Sequence, residues 1–269
     1  MASYGEKLLA RYHLLPAKSS KNLTPLSRPF SILPANTEQA TPSQIHEYQD
    51  RIGSLIYAAM ALRVDMARAV SMLASFLQNP SQDHLREAEH LVRYLHATRS
   101  AEMIYQGSNP PIQAAADAAY VNEDARLSSY GYIFHLYRGV VSWKSSKLKS
   151  VVTSTTEAEL MAASHAAKEL ISIERLLSQF SKDWIHQQAT LLCDNQQTLR
   201  LLLGDNPQLT TKAKHVDIHH LWLRQEVQEG NIKIDWVPTK DMPADGLTKL
   251  LPKQEHAKFI RSCGLILQS

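Results

Sequence analysis

Two hydrophobic rhythms run along the chain, and the change from one to the other divides it. From Thr41, apolar residues recur at helical spacing, with Ile45, Tyr48, Ile52, Leu55, Ile56 and Ala59 on one face. Two further helices are predicted, roughly over Val64–Leu77 and Ser81–Ala97. The second opens on the cap signal Asn79-Pro80-Ser81 and carries Leu85, Ala88, Leu91, Val92 and Leu95. Ahead of Thr41, a short helix near Glu6–Tyr12 gives way to Pro16, Pro25, Pro29 and Pro34, a poor interior for any regular element. Gly107-Ser-Asn-Pro-Pro111 breaks the helical rhythm. Beyond it, Ile112–Asp117, Tyr130–Tyr137 and Val140–Trp143 read as strands, the last two joined by a turn at Arg138-Gly139. Ser154-Thr-Thr-Glu157 is a capping-box signature opening a long helix to about Phe180. A short buried strand at Thr190–Asp194, helices at Gln196–Leu203 and His215–Gln228, a strand at Ile232–Val237 and a closing helix beginning at Pro243–Leu250 complete the pattern. Strands interleaved with helices in this order predict an α/β fold, a mixed sheet with helices on its faces. The expected organisation is an irregular segment over 1–40, a helical region over 41–107, an α/β domain over 108–255 and a tail over 256–269.

Composition narrows the class without changing that picture. The chain has 269 residues, 44% hydrophobic and 20% charged, as in soluble globular proteins. Two cysteines, Cys193 and Cys263, make no disulfide framework and point to a reducing, intracellular setting. No apolar run approaches the ~20 residues of a membrane span, so no membrane partner is expected. The N-terminus lacks the apolar stretch of a signal peptide. A net charge of +3 says little about partners, but its local clustering says more. Lys144, Lys147 and Lys149 form one basic group, and Lys212, Lys214 and His215 another. Trp143 beside Lys144 suits a nucleic-acid backbone. Solvated lysine-rich turns and a core tryptophan remain the alternatives.

Four acids stand where an acid is awkward for folding. Asp117 closes the apolar run from Ile112, and Asp194 closes the run from Ala189. Glu159 lies within Glu157-Ala-Glu-Leu-Met-Ala-Ala163, and Asp245 within Pro243-Ala-Asp-Gly-Leu-Thr-Lys249. Carboxylates near a core need partners, and a hard divalent cation is a natural one for several that converge. Taken singly, Asp194 could cap the next helix, and Asp245 could be a first-turn acid favoured by the helix dipole. Glu157 and Glu159 are both candidate ligands. With Ser154 as N-cap, Glu157 falls where it can reach back to the cap, while Glu159 begins the apolar face. His215 and His219, at i and i+4, have a zinc-compatible spacing but no third ligand at a suitable distance along the chain.

The block from about Asp117 to Lys249 resembles the ribonuclease H domain of copia-type LTR retrotransposon polyproteins. The stretches that carry the resemblance are Ala116-Asp-Ala118, Ser129-Tyr-Gly-Tyr132, Val141-Ser-Trp-Lys-Ser145, Ser154-Thr-Thr-Glu-Ala-Glu159, Cys193-Asp-Asn-Gln196, Lys214-His-Val-Asp-Ile218 and Ala244-Asp-Gly-Leu-Thr-Lys249. Upstream, Gly53-Ser-Leu-Ile-Tyr57, Leu62-Arg-Val-Asp65, Phe76-Leu-Gln-Asn-Pro80 and Val92-Arg-Tyr-Leu95 resemble the thumb and connection segment of the same polyproteins. The sequence contains no Tyr-x-Asp-Asp, so polymerase activity is not expected.

The resemblance implies a ribonuclease H-like five-stranded mixed sheet flanked by helices and preceded by a connection-type helical region. It implies cleavage of the RNA strand of RNA–DNA hybrids by two Mg2+ ions, with Mn2+ as a substitute. The ligands would be Asp117, Glu159, Asp194 and Asp245, with Asp117 bridging both ions. In the family the glutamate ligand precedes a Leu-Met-Ala-type run, which selects Glu159 and leaves Glu157 as the cap. Trp143, Lys144, Lys147, Lys149, Lys214 and His215 would face the nucleic acid. The partners implied are the hybrid and the polymerase part of the same polyprotein, in a cytoplasmic retroelement particle or the nucleus. The chain departs from the pattern at Ala119, where a second aspartate is usual, at Val121 and Asn122, and at Val64, usually proline. The loop before Asp245 has no histidine to aid proton transfer, which predicts a slower enzyme. The alternative is a catalytically silent module that binds nucleic acid or a polymerase.

Overall fold

The structure is a computed structural model that describes residues 2–17, 24–27, 33–107, 111–120, 128–149, 152–180, 188–204 and 214–267. The chain forms two units, one of residues 1–104 and 250–269, the other of 105–249.

The first unit is built on helices α1 (Ala2–Arg11), α2 (Pro42–Ala61), α3 (Ala67–Leu73) and α4 (Gln82–Ala97), followed by a two-residue strand β1 (Glu102–Met103). Helix α2 starts as its sequence dictates. Thr41 caps the Gln44 N–H, the Gln44 side chain returns the bond, and Pro42 occupies the first turn, where a missing N–H costs nothing. Leu8, Ile52, Leu55, Leu73, Leu91 and Leu95 meet in the core.

The helix predicted over Val64–Leu77 is shorter than its periodicity suggests. Only Ala67–Leu73 is α-helical, with 3-10 turns at Val64–Met66 and Ala74–Phe76. The reason at its start is a buried ion pair. Arg63 donates from Nε and Nη2 to the two carboxylate oxygens of Asp65, at 2.9 and 2.7 Å. Side chains at i and i+2 of an α-helix do not face each other, so this contact requires a different backbone. Tyr94 and Thr98 complete the network: the Tyr94 hydroxyl donates to Asp65 at 2.6 Å, and Arg63 donates to the Thr98 hydroxyl at 2.6 Å. Burial opposes the Asp65 charge, but Arg63 and the Tyr94 hydroxyl hold its pKa below the ordinary value.

The second unit contains strands β2 (Gln113–Ala119), β3 (Ser129–Leu136) and β4 (Gly139–Lys147), helix α5 (Thr155–Phe180), strand β5 (Thr190–Cys193), helices α6 (Gln196–Leu203) and α7 (Lys214–Gln228), strand β6 (Lys233–Trp236) and the short helix α8 (Asp245–Thr248). Its five-stranded sheet has the order β4-β3-β2-β5-β6. The β2–β3 and β3–β4 pairs are antiparallel, and β2–β5 and β5–β6 are parallel. This is the mixed five-stranded sheet flanked by helices that the sequence predicts.

Strand β4 runs four residues past its predicted end. Lys144–Lys147 pair with Tyr132–Ser129, and lysines on an edge strand discourage pairing with another chain. Its hairpin turn is centred on Tyr137 and Arg138, one residue earlier than expected, with φ of 52° and 62°. Positive φ at both central residues suits the right-handed twist of the flanking strands. One face of the sheet, with Ala114, Ala116, Tyr132 and Phe134, packs in a single core with Ala162 and Ala166 of α5. On the other face, Gly131 receives α8. A Cβ at Gly131 would lie 2.5 Å from the Leu247 Cβ, so only glycine permits this approach.

The predicted closing helix is two elements rather than one. Helix α8 ends after a single turn, and Pro252 precedes a new helix α9 (Lys253–Ser262) and a strand β7 (Leu265–Ile266). Both belong to the first unit, where a tail was expected from residue 256. Strand β7 pairs antiparallel with β1, His256 lies 3.3 Å from the Tyr94 hydroxyl, and Cys263 is buried. Two-residue strands leave no alternation to read.

Candidate metal centre

Strand pairing between β2 and β5 stops at Ala115 and Leu192. Past this point the two parallel strands deliver Asp117 and Asp194 at their carboxyl ends. The chain switches direction across the sheet here, with β3 and β4 to one side of β2 and β5 and β6 to the other, and such crevices are where open α/β sheets bind ligands.

Glu159 enters from α5. One ligand oxygen from each of Asp117, Glu159 and Asp194 can be chosen so that all lie within 4.8 Å of one another. Asp117 and Glu159 are buried, at 1% and 7% exposure. The Ala118 backbone N–H donates to the Glu159 carboxylate, yet Glu159 Oε2 is buried with no hydrogen-bond partner among the described residues.

Electrostatics at the cluster favour an added positive charge. Burial, then the charges of Asp117 and Asp194, push Glu159 up to about 9. Burial also pushes Asp117 up to about 6, against the lowering influence of Lys249 and the Thr248 hydrogen bond. Three oxygen donors, one of them orphaned and two reluctant to ionise alone, are a donor set that fits a hard divalent cation.

Glu157 has a different job. It accepts from the Thr153 backbone N–H at 2.7 Å and from the Thr153 hydroxyl at 2.9 Å, while its own N–H bonds Ser154 Oγ at 3.2 Å. The cap therefore forms one residue earlier than the expected reach to Ser154, and it occupies both Glu157 oxygens.

Asp245, the first residue of α8, stands outside the three-carboxylate group. Its Oδ1 accepts from Lys249 Nζ at 2.6 Å, and the same ammonium lies 3.9 Å from Asp117 Oδ2. The buried Thr248 hydroxyl donates to that Asp117 oxygen. Thr248 and Lys249 fall within a motif recognised in the sequence, but neither was expected at the site. Their spacing from Asp245, i+3 and i+4 on one helical turn, was the available signal.

The expected nucleic-acid residues are spread over more than one surface. Ser145 donates to the Leu247 carbonyl at 2.6 Å, and Ser142 contacts Glu169 of α5. Strand alternation therefore puts Trp143 and Lys147 on the α8 side and Lys144 on the α5 side. Lys144 acts electrostatically on His165, which stacks on Tyr130 at 4.8 Å. Trp143 is half-buried, and Lys144, Lys147 and Lys149 are exposed. Lys214 opens α7, but the side chains of Lys214 and His215 lie outside the described residues, as do Val121, Asn122 and Lys212. His219, weighed above with His215 for zinc, has Nδ1 2.7 Å from the Ser164 hydroxyl.

No family model matches the chain. It is 32% identical over 262 residues to the retrovirus-related Pol polyprotein from transposon TNT 1-94 of Nicotiana tabacum, covering 94% of this chain and 19% of that protein. It is 32% identical over 266 residues to the Pol polyprotein from transposon RE2 of Arabidopsis thaliana, covering 98% of this chain and 18% of the relative. The chain's homologues are copia-type Pol polyproteins. It spans about a fifth of the length of these curated relatives. Among solved structures, the LC11 ribonuclease H1 in complex with RNA/DNA hybrid aligns with 53% of this chain and 97% of its own, at 15% identity and a TM-score of 0.39. Among the described residues, no helix is long and apolar enough to cross a membrane.

Proposed function

We propose that the second unit of this Pol homologue is a divalent-metal-dependent ribonuclease H that cuts the RNA strand of RNA–DNA hybrids. The observation that carries the reading is the convergence of Asp117, Glu159 and Asp194 with a buried Glu159 oxygen that has no hydrogen-bond partner among the described residues. Homology to Pol polyproteins along nearly the whole chain supports the retroelement setting.

Asp117, Glu159 and Asp194 would hold Mg2+, or Mn2+ in its place, and Asp245 would support a second ion. Bound divalent cations lower the pKa of an attacking water and stabilise a leaving 3′ oxygen. The chain's residues do the positioning. The β2–β5 divergence presents two carboxylates on rigid strand ends, and α5, anchored by the Glu157 cap, fixes the third. Thr248 orients the Asp117 carboxylate through its hydroxyl. Lys144, Lys147 and Lys149 would supply phosphate contacts, which position the duplex without reading its sequence. Selection of hybrid over duplex DNA would come from groove shape and the 2′-OH.

The test is cleavage of an end-labelled RNA–DNA hybrid. RNA-strand cleavage in Mg2+ or Mn2+, lost in EDTA and in Asp117→Asn, is expected, with hybrid binding by that variant largely retained. Hybrid binding without cleavage in either metal would replace the enzyme with a silent binding module.

A further inference from the structure

Lys249 brings a positive charge to the edge of the carboxylate cluster. Its ammonium sits 2.6 Å from Asp245 Oδ1 and 3.9 Å from Asp117 Oδ2, with the side chain 41% exposed. It thus lies between the fourth carboxylate and the three-carboxylate group. The contact is built into the local fold. Asp245 and Lys249 are one turn apart, and the Lys249 N–H bonds the Asp245 carbonyl at 2.9 Å. Helix α8 is held against the sheet by the Gly131–Leu247 approach, by Ser145 on the Leu247 carbonyl and by Thr248 on Asp117. Together these contacts aim the Lys249 side chain at the acids.

The two halves of the centre therefore differ. Glu159 Oε2, in the three-carboxylate group, has no hydrogen-bond partner among the described residues. Asp245, on the other side, already has a full positive charge in hydrogen-bond contact. A cation bound by Asp117, Glu159 and Asp194 has the ammonium no nearer than 3.9 Å from an Asp117 oxygen, whereas one bridging Asp117 and Asp245 must displace it from a 2.6 Å contact or sit beside it. Two like charges at contact distance repel strongly when half-buried.

We infer that Lys249 is a built-in cation that holds the Asp117–Asp245 site against a divalent ion, so that the chain takes up its two ions in sequence. This rests on the metal-centre reading above and adds an order and an affinity gap to it. Without nucleic acid, one ion binds at Asp117, Glu159 and Asp194. The second binds weakly until Lys249 swings away, and its half-exposed stem leaves it free to do so. A phosphate arriving at the centre offers the ammonium another anion and so promotes that movement. Lys249 acts here through Asp245 and Asp117, as a positioning residue.

The experiment is a calorimetric titration of the full chain with MnCl2 in the absence of nucleic acid, on the unaltered protein, Lys249→Met and Lys249→Arg. Methionine keeps a long apolar stem without charge, and arginine keeps the charge. The unaltered chain and Lys249→Arg should each show one strong event and one far weaker. Removal of an adjacent charge shifts ionic equilibria by about one to three logarithmic units, so Lys249→Met should tighten the weaker event by about tenfold or more, and by clearly more than the stronger one, where the ammonium faces only Asp117 and at 3.9 Å. An unchanged weak event in Lys249→Met, or a weaker one, overturns the inference while the metal centre stands. Absence of any Mn2+ binding, with Asp117→Asn indistinguishable from the unaltered chain, overturns the metal centre itself. If Lys249→Met fails to fold, Lys249→Gln takes its place with the same expectation.

Discussion

Two glutamates separated by one residue, Glu157 and Glu159, are both buried in the first turns of one helix, and only their partners tell them apart. Glu157 has both oxygens engaged by Thr153, while one Glu159 oxygen has no hydrogen bond among the described residues. Glu157→Gln should therefore cost about 1 kcal/mol, the net worth of a buried hydrogen bond, and leave Mn2+ affinity intact. Glu159→Gln should abolish strong Mn2+ binding and cleavage while leaving the melting temperature equal or higher, since it removes an acid that burial disfavours when charged. Urea unfolding and calorimetry of the two variants check the pair; loss of ion binding in Glu157→Gln alone would reverse the assignment. Asp117 and Glu159 also set a pH dependence. Their folded pKa values of about 6 and about 9 exceed the unfolded ones near 4, so the folded state keeps protons that the unfolded chain has released. Stability is then greatest below about pH 4 as far as these two groups are concerned, and falls as pH rises, until it levels off past about 9. In EDTA the melting temperature should drop between about pH 5 and 9. Glu159→Gln should flatten most of that drop, and added Mg2+ should offset it. A flat profile in EDTA for the unaltered chain would contradict the raised values. Asp117, Glu159 and Asp194 were legible because acids inside apolar runs are conspicuous. Lys249 was not, because a lysine four residues after an aspartate is also what any exposed helix carries.

At the scale of elements, the fit of α8 against β3 decides whether Asp245 reaches the centre. Gly131→Ala would place a methyl group where Leu247 sits, with an overpacking cost of about 1–3 kcal/mol and a weaker second Mn2+ event. Gly53, in α2, has open space where a methyl group would go, with nothing within 4 Å, so Gly53→Ala should stabilise by roughly 0.5–1 kcal/mol. Thermal unfolding of both variants tests the contrast; equal effects would mean that α8 is free to shift. The strands at the middle of the sheet were readable as short apolar runs, since Ala114, Ala115, Ala116, Tyr132, Ile133 and Phe134 are all buried. The end of β4 was not, because Lys144-Ser-Ser-Lys147 is polar on both faces and is held as a strand by its register with β3. The same limit applies at Val64, where a buried Arg63–Asp65 pair overrides helical periodicity that sequence alone reports faithfully.

For the whole molecule, the telling feature is that the first unit is discontinuous, made of residues 1–104 and 250–269 with the second unit's sequence between them. The sequence pattern does not reveal this, because the closing segment is a short helix and a two-residue strand, whose polar contact to α4 is the histidine His256. A chain ending at Lys249 should lose protection at β1 and α4, read by amide hydrogen exchange, while α5 and the sheet of the second unit exchange as before. Equal exchange at α4 with and without residues 250–269 would show that those residues add nothing to the first unit. There is a consequence for synthesis. A ribosome releases the chain from its N-terminus, and domains generally fold as they emerge. Here residues 1–104 emerge before 105–249, and the residues of 250–269 that pair with β1 and meet Tyr94 emerge after both. The sheet unit is complete in sequence while the first unit still lacks residues 250–269, so the metal centre can be assembled before the first unit closes.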